Sequence, residues 1–245
     1  MNVLDRCESM TLTIILAVNE GMAFATDSRG TIGDPRGLTA QNDSIKKQYK
    51  LDDNTIVQMS GSNEAGAIIL DEIKKWRAVQ QSEPDISTIM AQLRTILRNK
   101  YQEWFPSLPP FPSPNQQSRP ALNVTIGGYE RINGSLVERI YLLPSQMDFA
   151  PLLFNTGICI TGITQYATYL TLRLYSRDMS LEEAKRLAAF VITETASQDG
   201  KVGGPIQMME IRLNNPVREI SNDEIGKIIK KNERINLKLK NLFRI

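Results

Sequence analysis

Two residues near the start of the chain could supply hydrolytic chemistry, namely Thr11 and Asp27. Thr11 follows a polar leader and opens a strand-like apolar run, and Asp27 ends the next such run. The chain contains no histidine, which excludes Ser-His-Asp and Cys-His catalysis and the usual histidine-based zinc sites. Any acyl-transfer reaction must therefore use another base.

A threonine at the amino terminus of a mature chain needs no histidine, because its own α-amine can take the hydroxyl proton. That amine has a pKa of about 7.7–8.0, so a useful fraction is neutral near physiological pH. A lysine amine, at about 10.4, would need a large depression to match it. An isolated threonine at the head of a strand is more often a plain strand residue, so Thr11 needs support from other positions.

Composition describes an ordinary globular protein. The 245 residues are 41% hydrophobic and 23% charged, which suffices for one large domain. A net charge of +2 gives no electrostatic reason to expect nucleic acid or an anionic membrane as partner. The apolar runs are strand-sized, and residues 1–10 lack the apolar region of a secretory signal. We therefore expect a cytoplasmic protein with no membrane partner.

Apolar periodicity and turn signals divide the chain into groups of strands and helices. Strands are predicted at 11–18, 22–27, 44–51, 55–61, 121–130, 136–144, 154–161 and 205–213. Helices are predicted at 64–80, 86–101, 162–176, 181–191 and 221–240. The polar stretch at 28–43 and the proline-rich stretch at 104–120 are predicted as loops.

This order lacks the strict β-α-β alternation of a parallel sheet. It predicts an α+β fold, a four-layer αββα sandwich in which helices cover two antiparallel sheets. Residues 11–213 would form the domain, and residues 214–245 a helical extension packed on it. Residues 1–10 are interpreted as a leader or a mis-assigned start.

Several common functional motifs are missing. The sequence has no GxxxxGK[ST], G-x-S-x-G, C-x-x-C or H-E-x-x-H. Two cysteines, Cys7 and Cys159, are too few and too distant for a disulfide framework or a metal site. We therefore expect neither cofactor nor metal.

The segments TLTIILAV, DSRGT, SIKKQYKL and QMSG, taken in order, resemble the β-type proteasome subunits and their bacterial relatives. These proteins are N-terminal-nucleophile (Ntn) threonine hydrolases. The resemblance runs from Thr11 to about Leu213 and implies the αββα sandwich that the element order predicts. It also implies a threonine-type endopeptidase.

Carried over by position, Thr11 matches the nucleophile and Asp27 the buried acid. Lys47 matches the lysine beside the nucleophile; Lys46 is adjacent, but the fourteen residues to Gly61 fit the family only from Lys47. As a cation, Lys47 would lower the pKa of the Thr11 hydroxyl, and Asp27 would orient it. The Gly61 N–H would serve as the oxyanion donor.

The distal half matches less closely. Thr161, which precedes Gly162, corresponds to the family's serine, and Asp199 corresponds to its second aspartate. The resemblance implies that both hydrogen-bond around the Thr11 amine. The serine usually found three residues after that aspartate is Val202 here, which removes one polar contact.

The substrate cleft is also implied by the resemblance. Its residues would be Gly30, Thr31, Ile45, Tyr49, Met59 and Asn63. Thr31 and Gly61 would offer backbone contacts to an extended peptide. The side chains are mostly apolar with no acidic group, so we expect hydrophobic P1 residues.

Two departures from the family concern activity. Met10 stands where precursors usually have glycine, so self-cleavage before Thr11 has no direct support. Translation from Met10 followed by methionine removal is the preferred route to a free Thr11 amine. The loop between Asp27 and Lys47 is four residues longer than in typical subunits and would reshape the cleft.

Three functions remain open from the sequence. The leading one is an endopeptidase that acts on unfolded polypeptides within a ring-like homo-oligomer; a partner ATPase or regulator cannot be read from the sequence. The second is an inactive ring or scaffold subunit. We do not expect an α-type subunit, because such subunits have a long N-terminal helix and the ten residues before Thr11 are too few to form it. The third is an Ntn amidase or transpeptidase.

Overall fold

A computed structural model describes residues 11–33, 39–81, 84–111 and 119–243. The predicted leader at residues 1–10, with Cys7 in it, lies outside the described residues.

The described elements alternate in groups along the chain. The strands are β1 (Leu12–Val18), β2 (Gly21–Thr26), β3 (Gly30–Gly33), β4 (Thr39–Asn42), β5 (Gln48–Lys50), β6 (Thr55–Gly61), β7 (Leu122–Ile132), β8 (Ser135–Pro144), β9 (Leu152–Leu153), β10 (Ile158–Gly162), β11 (Gln207–Arg212) and β12 (Arg218–Glu219). The helices are α1 (Asn63–Ala78), α2 (Ile86–Trp104), α3 (Gln165–Leu174), α4 (Leu181–Gln198) and α5 (Asn222–Leu242).

Two five-stranded antiparallel sheets form the centre of the protein. The first has the order β10-β1-β2-β11-β12, and the second the order β5-β6-β7-β8-β9. Helix α4 packs on β1 and β2, with α3 and α5 alongside it, whereas α1 and α2 cover the second sheet. The predicted αββα sandwich is confirmed.

Central strands of the first sheet are apolar along their whole length because both of their faces are covered. In β1, Ile14 and Leu16 pack toward the helices, and Ile15 and Ala17 point into the layer between the sheets. Every residue of β1 and β2 is buried. Alternation then directs Thr13 into the inter-sheet layer as well.

Turn and capping signals place the connections as predicted. Asn133 and Gly134 join β7 to β8 with φ of +50° and +83°, which an Asn-Gly hairpin turn requires. Ser180 and Glu183 form the capping box at the start of α4.

The structure corrects the prediction near the longer loop. Residues 28–43, predicted as loop, contain the paired strands β3 and β4, whose polar residues carry no strand periodicity. The strand predicted at 44–51 is reduced to β5, because the N–H groups of Ile45 and Lys47 donate outside the second sheet, to the Ser28 carbonyl and to the Gln207 side chain. Strands β9 and β12 are two residues each, too short for a periodic signal.

β12 and the first turns of α5 pack with the first sheet. β12 pairs with β11 as the edge of the first sheet, and Ile225 and Ile228 of α5 enter the core beneath α4. Within the described residues, no helix combines the length and apolar composition needed to cross a membrane.

Candidate active site

Thr11 immediately precedes β1 at the polar end of the inter-sheet layer and is 2% exposed. β1 pairs with β2 on one side and with β10 on the other, so Leu12 lies opposite Gly162. Asp27 follows the last residue of β2 and donates its N–H to the Leu12 carbonyl. The strand register therefore brings Asp27 beside the start of β1.

Asp27 is fully buried and each of its carboxylate oxygens accepts two hydrogen bonds. Oδ1 accepts from the Leu12 N–H at 3.0 Å and from Lys47 Nζ at 2.8 Å. Oδ2 accepts from the Gly203 N–H at 3.0 Å and from the Arg29 N–H at 3.2 Å. The carboxylate thus joins β1, the lysine segment and the loop after α4.

Of the adjacent lysines Lys46 and Lys47, the structure buries Lys47. Its side chain and that of Asp27 are 0% exposed, and Nζ also donates to the Arg29 carbonyl at 2.5 Å. The neighbouring Lys46 side chain is 52% exposed and lies 3.7 Å from Glu219. Lys47 is therefore the lysine that contacts Asp27, and its catalytic role stays a prediction.

Burial pushes both members of this pair toward their neutral forms. It raises the pKa of Asp27, although the Lys47 charge and the hydrogen bonds from Lys47, Leu12 and Gly203 oppose the rise. It lowers the pKa of Lys47, with the Asp27 charge opposing. Each charge is therefore sustained mainly by the other.

Two glycines allow backbone segments to meet at this end of the sheets. Gly61 has φ of +113°, and a Cβ there would lie 2.2 Å from the Ala121 carbonyl oxygen. Gly162 has φ of +97°, and its Cβ would lie 1.7 Å from the Thr11 carbonyl oxygen. That oxygen accepts a hydrogen bond from the Ile163 N–H at 2.8 Å. Both positions therefore require glycine.

Thr161 belongs to a buried chain of polar groups that links the two sheets. Its hydroxyl shares hydrogen bonds with Thr13 at 2.8 Å and with Ser60 at 2.9 Å. Asn123 Nδ2 donates to the Ser60 hydroxyl at 3.4 Å. Thr13 and Ser60 were not predicted as site residues, although Thr13 shares a strand face with Thr11 and Ser60 adjoins Gly61.

Asp199 is the C-cap residue that follows α4, and its Oδ1 accepts the Lys201 N–H at 2.9 Å. Its loop reaches the buried acid through the Gly203 N–H, which the sequence did not signal. Val202 is 1% exposed and packs into the helix side of the first sheet. The proposed contact of Asp199 with the Thr11 amine stays a prediction.

The predicted cleft residues fall into two groups. Gly30 and Thr31 lie in β3, opposite Asn42 and Gln41 of β4, and Asn63 is the first residue of α1. The other three residues are buried or half-buried and close to the second sheet: Ile45, Tyr49 and Met59.

Tyr49 and Met59 belong to the apolar cluster beneath α1 and α2. The Tyr49 hydroxyl donates to the Lys46 carbonyl at 2.5 Å, and burial raises its pKa. The role of these six residues in binding substrate stays a prediction.

Other features of the described chain lie apart from these residues. A cavity of about 530 Å³ lies along α2, where Arg94, Arg98 and Asp148 contribute to its lining. Burial raises the pKa of the Cys159 thiol to about 12, which makes it a poor nucleophile. Within the described residues, no group of three or more His, Cys, Asp or Glu side chains could hold a metal ion.

Sequence comparison identifies relatives at low identity. No family model matches the chain. It is 22% identical over 230 residues to the proteasome subunit beta of Archaeoglobus profundus, covering 92% of this chain and 94% of the relative. It is 25% identical over 225 residues to that of Methanococcus aeolicus, covering 89% and 91%. It is 27% identical over 224 residues to that of Methanocaldococcus vulcanius, covering 89% of each.

Structural comparison finds similar folds. Anbu (ancestral beta-subunit) from Yersinia bercovieri has a TM-score of 0.70 at 17% identity, covering 95% of this chain and 96% of that one. An Anbu (Gly-1) mutant from Hyphomicrobium sp. strain MC1 has a TM-score of 0.70 at 18% identity, with the same coverage. Together the similarities support the proteasome β-type family. The narrower assignment to bacterial relatives stays a prediction.

Proposed function

We propose that this protein is a proteasome-like threonine endopeptidase in which Thr11 is the N-terminal nucleophile and its own α-amine is the general base. The observation that carries the proposal is the enclosed Asp27–Lys47 pair directly beside the start of β1. A chain without histidine must obtain its base elsewhere, and the free amine of Thr11 would supply it. The similarity to proteasome beta subunits supports the same reaction class.

In the proposed reaction, the Thr11 hydroxyl attacks the scissile carbonyl while its proton passes to the Thr11 amine. The Lys47 cation favours the developing alkoxide electrostatically, and the Gly61 N–H binds the oxyanion. The amine then passes the proton to the leaving nitrogen as the C–N bond breaks, leaving an ester on Thr11. Water hydrolyses the ester and regenerates the hydroxyl.

Further roles belong to the proposal. Thr161 and Asp199 would orient groups around the amine. The cleft residues would select hydrophobic P1 side chains. The substrate would be unfolded polypeptide, and the enzyme would work inside a ring-like homo-oligomer in the cytoplasm.

The first experiment asks whether Thr11 becomes the mature amino terminus. Intact mass and N-terminal sequencing of the purified protein should show Thr11 as the first residue. The protein should then cleave fluorogenic peptides with a hydrophobic P1 residue, and a peptide epoxyketone, which needs both hydroxyl and free amine, should modify Thr11. Retention of residues 1–10 would contradict the proposal and favour the scaffold alternative.

The matched variants are Thr11→Ala and Thr193→Ala, since Thr193 is exposed on α4. We expect Thr11→Ala to lose cleavage entirely and Thr193→Ala to keep it. Cleavage that persists in Thr11→Ala would rule out the proposed nucleophile. A Thr11 adduct without peptide cleavage would favour an Ntn amidase or transpeptidase.

A further inference from the structure

A single glutamine of β11 holds the segment that carries Lys47. Gln207 Nε2 donates to the Ile45 carbonyl at 2.6 Å, and its Oε1 accepts the Lys47 N–H at 3.2 Å. One side-chain amide therefore binds two backbone groups on either side of Lys46. These residues precede β5 and belong to no strand.

Gln207 comes from the first sheet, whereas the segment it binds leads into the second. Met208 packs toward the helices and Met209 into the inter-sheet layer. Alternation therefore directs Gln207 into the inter-sheet layer. In the register of β2 with β11, Gln207 lies opposite Thr26, the residue before Asp27. The Gln207 amide thus holds the segment that carries Lys47 beside β2, the strand that leads to Asp27.

Three other hydrogen bonds hold the backbone of the same segment, and one of them runs from the Tyr49 hydroxyl to the Lys46 carbonyl. The Ile45 N–H donates to the Ser28 carbonyl at 3.1 Å, and the Lys47 carbonyl accepts the Met59 N–H at 2.9 Å. These bonds use the backbone groups that Gln207 leaves free. Without the glutamine amide, the Ile45 carbonyl and the Lys47 N–H would have to find new partners in a partly buried place.

We infer that Gln207 is a positioning residue that couples the cation Lys47 to the cleft residue Ile45. The functional part of this inference rests on the proposed function, which gives Lys47 and Ile45 their roles. Because one amide holds both residues, loss of Gln207 should alter turnover and P1 selectivity together. A glutamine with only a structural role would alter stability and leave the selectivity of the remaining activity unchanged.

Two substitutions separate the two hydrogen bonds. Gln207→Leu keeps a similar volume and removes both bonds. Gln207→Glu keeps an acceptor for the Lys47 N–H but places a carboxylate against the Ile45 carbonyl. Gln146→Leu is the matched control, because Gln146 is exposed in the turn at Ser145–Met147.

The first measurement is hydrogen exchange of the Lys47 amide, which does not depend on catalysis. We expect Gln207→Leu to exchange this amide about tenfold faster, as for the loss of one hydrogen bond. Gln207→Glu should retain part of the protection, and Gln146→Leu all of it. Unchanged exchange in Gln207→Leu would overturn the inference whatever the activity of the protein.

The second measurement is kcat/KM for two fluorogenic peptides, one with leucine and one with phenylalanine at P1. We expect kcat of Gln207→Leu to fall by about 10- to 100-fold, as for a misplaced catalytic group, with a changed ratio between the peptides. Faster exchange with unchanged kinetics would overturn the coupling and leave the proposed function intact. A wild-type protein that forms no Thr11 adduct would refute the proposed function, and with it the coupling; the exchange result would then decide only whether Gln207 holds the segment.

Discussion

In the part of the chain that the structure describes, two lysine–carboxylate pairs are buried and are built differently. Lys47 and Asp27 lie between the sheets at 2.8 Å, with both side chains 0% exposed. Lys185 of α4 and Glu210 of β11 lie in the helix-covered layer of the first sheet at 2.7 Å, with exposures of 2% and 3%. The two pairs are similarly buried, but the groups that contact them differ.

The Glu210 carboxylate is shared among several cations. Arg218 Nε lies 2.8 Å and Arg212 Nε 3.5 Å from its Oε1, and both arginines are more than one-third exposed. Burial raises the pKa of Glu210, but the hydrogen bonds and charges of Lys185 and Arg218 outweigh it, so the net pKa is lowered. The second pair is therefore part of a cluster that reaches the surface.

Asp27 has one cation and three backbone N–H donors instead. Burial is not fully offset there, so the pKa of Asp27 is raised and that of Lys47 lowered. Buried ion pairs are weak contributors to stability, and perturbed pairs of this kind concentrate at functional sites. The difference between the pairs supports a structural role for Glu210 and a chemical role for Lys47.

The largest expected effect comes from removing each lysine. Lys47→Met leaves Asp27 without a cation in an enclosed site and should lower the free energy of unfolding by about 3–5 kcal/mol. Lys185→Met leaves Glu210 with Arg218 and Arg212, and should cost about 1–2 kcal/mol. Urea unfolding at pH 7 measures both. Equal losses, or a larger loss in Lys185→Met, would show that the two pairs are energetically alike.

Much of the site could be predicted from the sequence because local patterns fix it. The apolar runs set the β1–β2 hairpin, and the hairpin register places Asp27 beside the residue after Thr11. Lys47 and Gly61 were assigned through the resemblance to β-type proteasome subunits, whose spacing they match, and Gly61 has the positive φ that favours glycine. Such features lie within one supersecondary unit each.

The remainder depends on contacts between distant segments. Gln207 meets Lys47 across 160 positions, and Ser60 meets Thr161 across 101, so neither contact leaves a local pattern. The pairing of β3 with β4 was not predicted for a different reason. Strand prediction relies on apolar alternation, which these two strands lack. Long-range polar contacts of ordinary residue types were the part that the sequence could not predict.

We expect a smaller effect of pH on the free energy of unfolding, and its sign should be opposite for Glu210 and Asp27. The folded pKa of Glu210 lies below its ordinary value of 4.5, so its stabilisation is present above pH 4.5 and is lost as pH falls through the folded value. The folded pKa of Asp27 lies above its ordinary value of 3.8, so its contribution is greatest below pH 3.8 and declines as pH rises through the folded value.

Free energies of unfolding measured against pH for wild type, Glu210→Gln and Asp27→Asn would separate these signs. The advantage of wild type over Glu210→Gln should shrink on acidification below pH 4.5. Its advantage over Asp27→Asn should shrink as pH rises above 3.8. If both free-energy differences changed with pH in the same direction, Glu210 and Asp27 would have the same sign of pKa shift, which would contradict the comparison.

The smallest expected effect comes from the rim of the Glu210 cluster. Arg218 donates from Nε to Glu210 and from Nη1 to Glu224, but its side chain is 46% exposed, so solvent screens these interactions. Arg218→Gln should therefore lower the free energy of unfolding by only about 0.5 kcal/mol. Adding Lys185→Met should cost more than the sum of the single changes, because Glu210 would keep only Arg212 at 3.5 Å. Strict additivity in this double-mutant cycle would show that Lys185 and Arg218 do not substitute for one another beside Glu210. The energetic difference proposed between Glu210 and Asp27, which has a single cation, would then be contradicted.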